Sequence, residues 1–171
     1  NNAGRGHYGD FIGLDVALEV DTIALNITAL TSLCKLFAKP MAEKGQGHII
    51  NIASIAAFLP GPGMAVYNAS KAYVLSLSEA LHEEYKPYGI GVTASCPGLT
   101  ESEFFTLAGT DKLSNLKYGK FMTANAVAKE IYSAMKKKKS VVVHGVSNKF
   151  VTMLPRTLPR SWVSKTVKSL M

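Results

Sequence analysis

The sequence predicts an α/β domain in which a parallel sheet carries helices on both faces. Two observations lead there: helical and strand patterns alternate along the 171 residues, and the strand segments are continuously apolar rather than alternating. No internal repeat competes with that reading. A composition of 47% hydrophobic and 18% charged residues, with a mean hydropathy of +0.13, suits one globular domain over residues 1–171.

The elements follow in order. "NNAGRGHYGDF" opens the chain on a Gly-rich turn, with no strand or helix before it. Asp15 is a helix cap, and a long apolar helical pattern runs from it to about Met41. Its stripe Leu25, Ala29, Leu33 and Leu36 is expected in the core. "AEKGQG" breaks the helix, and the Ile-rich run His48–Ser54 is a buried strand. After the loop "LPGPG", a helix spans about Ala65 to Lys86 and stops at "KPYG". Ile90–Cys96 is a second buried strand, "PGLTESEFF" opens a long loop, and Thr123 caps a helix to about Lys138. "SVVVHG" is the third strand, and residues 147–171 form a basic amphipathic tail with two prolines near its start.

Bulk chemistry removes several function classes. The net charge is +7, but four lysines form one solvated block, Lys136–Lys139, at a helix end, with no interleaved aromatics, so no nucleic-acid partner is expected. Four scattered histidines show no ligand spacing, and no metal site is expected. Cys34 and Cys96 lie in apolar segments and read as free thiols of a reducing, cytoplasmic compartment. No uninterrupted apolar run reaches the roughly 20 residues of a membrane span, and no signal-peptide pattern opens the chain. For the basic tail Lys149–Met171 two readings stand: a helix closing over its own subunit, which is preferred, and contact with a membrane surface or an acyl substrate.

"MAVYNASKAY" places Tyr67 four residues before Lys71. That spacing alone means little, because Tyr132 and Lys136 repeat it beside the lysine run. The surroundings separate the two pairs. Ser54 lies thirteen residues before Tyr67 at the end of a strand, whereas Gly119 holds that place for Tyr132. In open parallel sheets ligands bind beyond the carboxyl ends of the strands. Ser54, Pro97–Gly98 and "NNAG" all fall at such ends, the last following a strand that would lie before Asn1.

These pieces together resemble the classical short-chain dehydrogenase/reductase family: "NNAG" at Asn1–Gly4, Asn26 in "ALNITA", Ser54 in "NIAS", "YNASK" with Tyr67 and Lys71, and Pro97–Gly98. The resemblance is firmest from Asn1 to Phe104 and lacks the family's N-terminal third with its Gly-rich dinucleotide turn. It implies a Rossmann-like doubly wound sheet, NAD or NADP as cofactor, and an oxidoreductase acting on a small-molecule carbonyl or secondary alcohol. Tyr67 would be the general acid/base, Ser54 would hold the substrate oxygen, and Lys71 would bind the nicotinamide ribose and lower the tyrosine pKa. Asn26 would hold a water linking Lys71 to solvent; read alone, it could bond the backbone at a kink. Asn2, Ala3, Gly4, Pro97, Gly98 and Ser102, together with Tyr67 and Lys71, would line the cofactor. Ser102 stands where the family usually has threonine. A homodimer or homotetramer is implied, packed through the first long helix and the Tyr67 helix. A non-enzymatic scaffold that keeps the tetrad remains the alternative. Phe104, Phe105 and Leu107, in the variable loop 101–118, hint at an apolar substrate. Asn1–Met171 is also expected to be an incomplete folding unit. The choice between NAD and NADP rests on a residue outside this sequence.

Overall fold

The computed structural model describes residues 1–109 and 121–170. Asp15 caps the first helix by accepting a hydrogen bond from the Ala17 amide at 2.9 Å. The helix is continuous from Val16 to Lys44 in three parts: α1 (Val16–Ile23), a π turn (Ala24–Ala29) and α2 (Leu30–Lys44). Thr22, Asn26, Leu30 and Cys34 are its buried row. A spacing of four drifts forward around an α-helix, and the wider π turn offsets that drift, keeping the four on one face. This corrects the expected stripe: Leu33 and Leu36 are 39% and 68% exposed, and Leu25 and Ala29 are only half-buried. By length and composition the Val16–Lys44 helix could cross a bilayer, although charged residues such as Asp21 and Lys35 interrupt its apolar run. Gly45 ends it in a left-handed conformation, φ 66°, that turns the chain into the sheet.

Three parallel strands lie in the order β1 (Gly47–Ile52), β2 (Ile90–Cys96) and β3 (Val141–Val143). Ile49 pairs with Val92, and Ala94 with both Asn51 and Val141. On β1's other edge Asn1 bonds Ile50 and Ile52 at 2.8 and 3.0 Å through its backbone. β1 is followed by a 3₁₀ turn (Ile55–Phe58), α3 (Ala65–Tyr85) and a second 3₁₀ turn (Lys86–Tyr88). After β2 come α4 (Phe104–Leu107) and α5 (Ala124–Lys136), whose cap is Thr123, as expected. The tail is two helices, α6 (Val146–Thr157) and α7 (Arg160–Leu170).

The two sheet faces differ in chemistry. Ile49, Ala53, Val92, Ala94 and Cys96 pack with Leu30 and Cys34 of α2 and with Val74 and Leu75 of α3 as the core. Asn51 on that face is satisfied by Ser78 of α3 at 2.9 Å, so a buried amide locks α3 in place. On the opposite face Ser95 bonds His144, which bonds Glu130 of α5. Helices thus cover both faces of a parallel sheet.

Candidate active site

The site is built where β1 and β2 end. Ile52 closes β1, and its carbonyl accepts the Lys71 ammonium at 2.8 Å. Ser54 caps the 3₁₀ turn by accepting the Ala56 amide at 3.1 Å. The Ile55 amide donates to Pro97 O at 2.9 Å, which joins this turn to the end of β2. Asn68 of α3 donates to Ala56 O and Leu59 O at 3.2 and 3.0 Å. That double bond fixes the turn against the first turns of α3, and so sets Ser54 relative to Tyr67. Lys71 lies one helical turn beyond Tyr67, its Nζ 5.8 Å from the ring centroid.

The opening loop packs onto the same place. Asn26 Oδ1 accepts the Arg5 amide at 3.0 Å, while Nδ2 donates to Arg5 O at 2.8 Å and Ser70 Oγ at 2.9 Å. Arg5 also pairs with Asp21 of α1. The Asn26 side chain thus grips the loop through both ends of its amide. Its grip brings two glycines close in. A Cβ on Gly4 would stand 3.2 Å from Lys71 Nζ and 3.3 Å from Asn26 Oδ1, and one on Gly6 only 2.7 Å from the Tyr67 ring. Asn2 and Ala3 are exposed between the sheet edge and Gly4. Gly98 lies against Asn148 of α6, whose amide a Cβ would meet at 2.3 Å. Ser102 is exposed and bonds only Thr100 O, at 3.3 Å, among the described residues. The structure thus gathers Asn26, Ser54, Tyr67, Lys71 and Gly4, joins Pro97 to them, and leaves Asn2, Ala3 and Ser102 at the surface.

Burial dominates the electrostatics. It pushes the Lys71 ammonium, only 6% exposed, down from 10.5 to about 8. It also raises the Tyr67 phenol above its usual value, against an opposing hydrogen bond with Ser54. Desolvation of the phenolate outweighs the Ser54 hydrogen bond in setting that direction. Cys96, fully buried under the site, is pushed up to about 12, the state of an inert packing thiol.

A chain of aromatic rings begins at Tyr67. Phe104 of α4 lies 5.1 Å from its ring, Phe105 5.7 Å from Phe104, and Phe121 5.4 Å from Phe105. Leu107 is 75% exposed, and residues 110–118 of the variable loop lie outside the described residues. The control pair behaves as a surface feature: Lys136 Nζ sits 4.7 Å from the centroid of the Tyr132 ring, which is 55% exposed.

Sequence reasoning missed one constellation. Ser95 Oγ lies 2.8 Å from His144 Nε2, and His144 Nδ1 lies 2.9 Å from Glu130 Oε2. The order of groups is that of a hydrolytic triad, but Ser95 and His144 are both completely buried, so no substrate reaches the hydroxyl. It is a polar clamp between β2, β3 and α5. The only signal in the sequence is a histidine closing the apolar run "VVVH".

The chain matches the family model described as short chain dehydrogenase over residues 1–112. It is 31% identical over 160 residues to the probable oxidoreductase EphD of Mycobacterium tuberculosis, covering 82% of this chain and 26% of that protein. It is 30% identical over 143 residues to the ketoacyl reductase HetN of a Nostoc species, covering 84% and 49%. Among solved structures, a short-chain dehydrogenase from Sphingobium yanoikuyae in complex with NADPH superposes with a TM-score of 0.78 at 29% identity. That match covers 94% of this chain and 65% of the other. The chain thus spans from about a quarter to under two thirds of the length of these relatives.

Proposed function

From the premise that this chain belongs to the short-chain dehydrogenase family, we propose that it carries the catalytic half of an NAD(P)-dependent oxidoreductase interconverting a carbonyl compound and its secondary alcohol. The observation that carries the reading is the convergence of Ser54, Tyr67 and Lys71 at one strand end, with Gly4 held against Lys71 by the Asn26 grip. The residues fit the nicotinamide end of the cofactor. Lys71 is a buried ammonium with three donors and one acceptor among the described residues, which leaves two donors for ribose hydroxyls. No Gly-rich strand-to-helix turn that would hold a pyrophosphate is present in the described residues.

When bound, the nicotinamide exchanges hydride with the substrate carbon. Ser54 would donate its hydroxyl to the substrate oxygen and hold it within reach of Tyr67. In the reductive direction the Tyr67 phenol gives its proton to that oxygen, so the alcohol gains one hydride and one proton. A phenol kept protonated by burial is suited to this step. Lys71 stabilises the phenolate left behind. Asn26 acts by fixing Arg5, and through it Gly4 and Gly6, against Lys71 and Tyr67. Phe104 against Tyr67, continued edge-to-face by Phe105 and Phe121, supports an apolar substrate. The Sphingobium relative's NADPH supports a nicotinamide cofactor.

The outward apolar residues of the first helix, Leu33, Leu36 and Phe37 among them, stand between charges of both signs (Glu19, Lys35, Lys39, Glu43), and support a second copy as their cover. A monomer mass by light scattering would count against that cover.

Tyr67→Phe tests the function in the protein of full natural length, assayed on a series of apolar and polar ketones. Turnover should vanish while the NADPH dissociation constant stays within about twofold, because only the proton donor is lost. Tyr132→Phe should change neither. Near-full turnover in Tyr67→Phe would sink the assignment.

A further inference from the structure

The charge of this chain is distributed unevenly. After Glu130 there is no aspartate or glutamate, yet nine of the 19 basic residues lie there. That region includes α6 and α7, and α6 faces the wrong way for a globular protein. In α6 the side turned into the domain is Asn148, Thr152 and Pro155, spaced i, i+4, i+7, with Thr152 buried and the others half-buried. The opposite side carries Val146, Phe150, Met153 and Leu154, spaced i, i+4, i+7, i+8 and exposed by 54–70%. A helix packed on a core normally turns its apolar stripe inward. In α7, Val163 is buried and Val167 half-buried, while Trp162 is 64% exposed with Lys165 one turn along the same side. Among the described residues no acidic side chain pairs with Lys149, Lys165 or Lys168.

Charge selects the occupant. A second copy docking through a twofold axis would lay this patch on itself, lysine against lysine. An anionic lipid surface matches both properties at once: phosphates for the lysines, and the acyl–headgroup boundary for the apolar stripe and the indole. We propose that α6 and α7 form a peripheral docking surface for anionic lipid bilayers. Phe150, Met153 and Leu154 enter the headgroup boundary, Trp162 sits at the interface, and Lys149, Lys165 and Lys168 contact lipid phosphates. The tail does close over its own subunit, as preferred: Thr152 and Val163 are buried, and Pro155, Arg160 and Val163 face Phe58 and Pro60; the proposal concerns the apolar side of α6 that this packing leaves outward. It does not depend on the proposed oxidoreductase chemistry.

The test is sedimentation of the full-length protein with vesicles of equimolar phosphatidylcholine and phosphatidylglycerol, against vesicles of phosphatidylcholine alone. Binding should favour the anionic vesicles at least about tenfold and weaken with added salt. Lys165→Glu with Lys168→Glu, two exposed sites that leave the fold untouched, should lower it about tenfold or more. Phe150→Ser with Leu154→Ser should also lower it, and Leu36→Ser with Phe37→Ser on the other apolar face should not. Trp162 is the only tryptophan of the 171 residues. The emission that Trp162→Phe removes should therefore shift to the blue with anionic vesicles alone. Absence of sedimentation, equal binding to both vesicle types, or unchanged binding in the double charge reversal would overturn the proposal. So would a blue shift that grows with protein concentration in the absence of lipid, which would make the occupant a second copy.

Discussion

Replacing Lys71 by methionine separates the stability of this fold from its chemistry. The Lys71 ammonium titrates near 10.5 in the unfolded chain and near 8 in the fold, because burial disfavours its charge. Below pH 8 it is protonated in both states, and folding bears the full cost of burying the ion. Between pH 8 and 10.5 the unfolded chain holds more protons than the native one, so stability rises with pH across that window. A gap of 2.5 units at about 1.4 kcal/mol each makes that cost roughly 3 kcal/mol at pH 7. Methionine keeps an unbranched, slightly shorter side chain and removes the charge, but it leaves Ile52 O without its 2.8 Å donor, a loss of about 1–1.5 kcal/mol. Lys71→Met should then be more stable than the parent by about 2 kcal/mol at pH 7, and slightly less stable above about pH 9.5, where the parent's lysine is neutral yet still donates. For a chain of this size the pH 7 gain is a rise in Tm of about 4–8 °C. Calorimetric melts of both proteins from pH 6.5 to 10 would show the two curves crossing. A variant less stable than the parent at pH 7, or a constant offset at every pH, would refute the assignment of a strained buried ammonium. The same variant should have lost turnover, since methionine cannot hold a ribose hydroxyl.

Two further outcomes follow from packing. Gly6→Ala places a methyl 2.7 Å from the Tyr67 ring, so it should displace the phenol and cut kcat by at least about tenfold, for a stability loss of roughly 1–3 kcal/mol; a fully active variant would show that the loop and Tyr67 are not in contact. His144→Ala empties a completely buried site and strands the Ser95 hydroxyl, so denaturant melts should show a loss of about 2–4 kcal/mol with kcat unchanged. Lost turnover in the folded variant would give the clamp a part in the chemistry.

Much of this arrangement is legible from residues alone. Asp15 and Thr123 announce their helices through side-chain oxygens that cap free amides, and Ile90–Cys96 is read as a strand at its observed limits. Ser54, Tyr67 and Lys71 are legible as a set because strand end and helix start are local patterns, and the thirteen-residue separation distinguishes them from Tyr132 and Lys136. Other features depend on contacts across the chain. Nothing local in "ALNITA" announces a π turn, or commits both ends of the Asn26 amide to Arg5, 21 residues away. The direction of the Tyr67 shift depends on how deeply the phenol is desolvated, which the identity of its neighbour Lys71 does not reveal. The Ser95–His144 bond joins residues 49 apart. The stripe Leu33–Leu36 is misplaced for a related reason: periodicity shows that a helix has an apolar side, but the packing of the domain decides which side faces in.

Transfer of label from NADPH carrying deuterium at both C4 positions tests the central claim most directly. The full-length protein, given an apolar ketone, should move one deuterium to the carbinol carbon for each NADPH oxidised, while the hydroxyl proton comes from solvent. Tyr67→Phe should bind the labelled cofactor and transfer nothing. Alcohol formed with no deuterium at carbon, or label transfer that persists in Tyr67→Phe, would contradict the account.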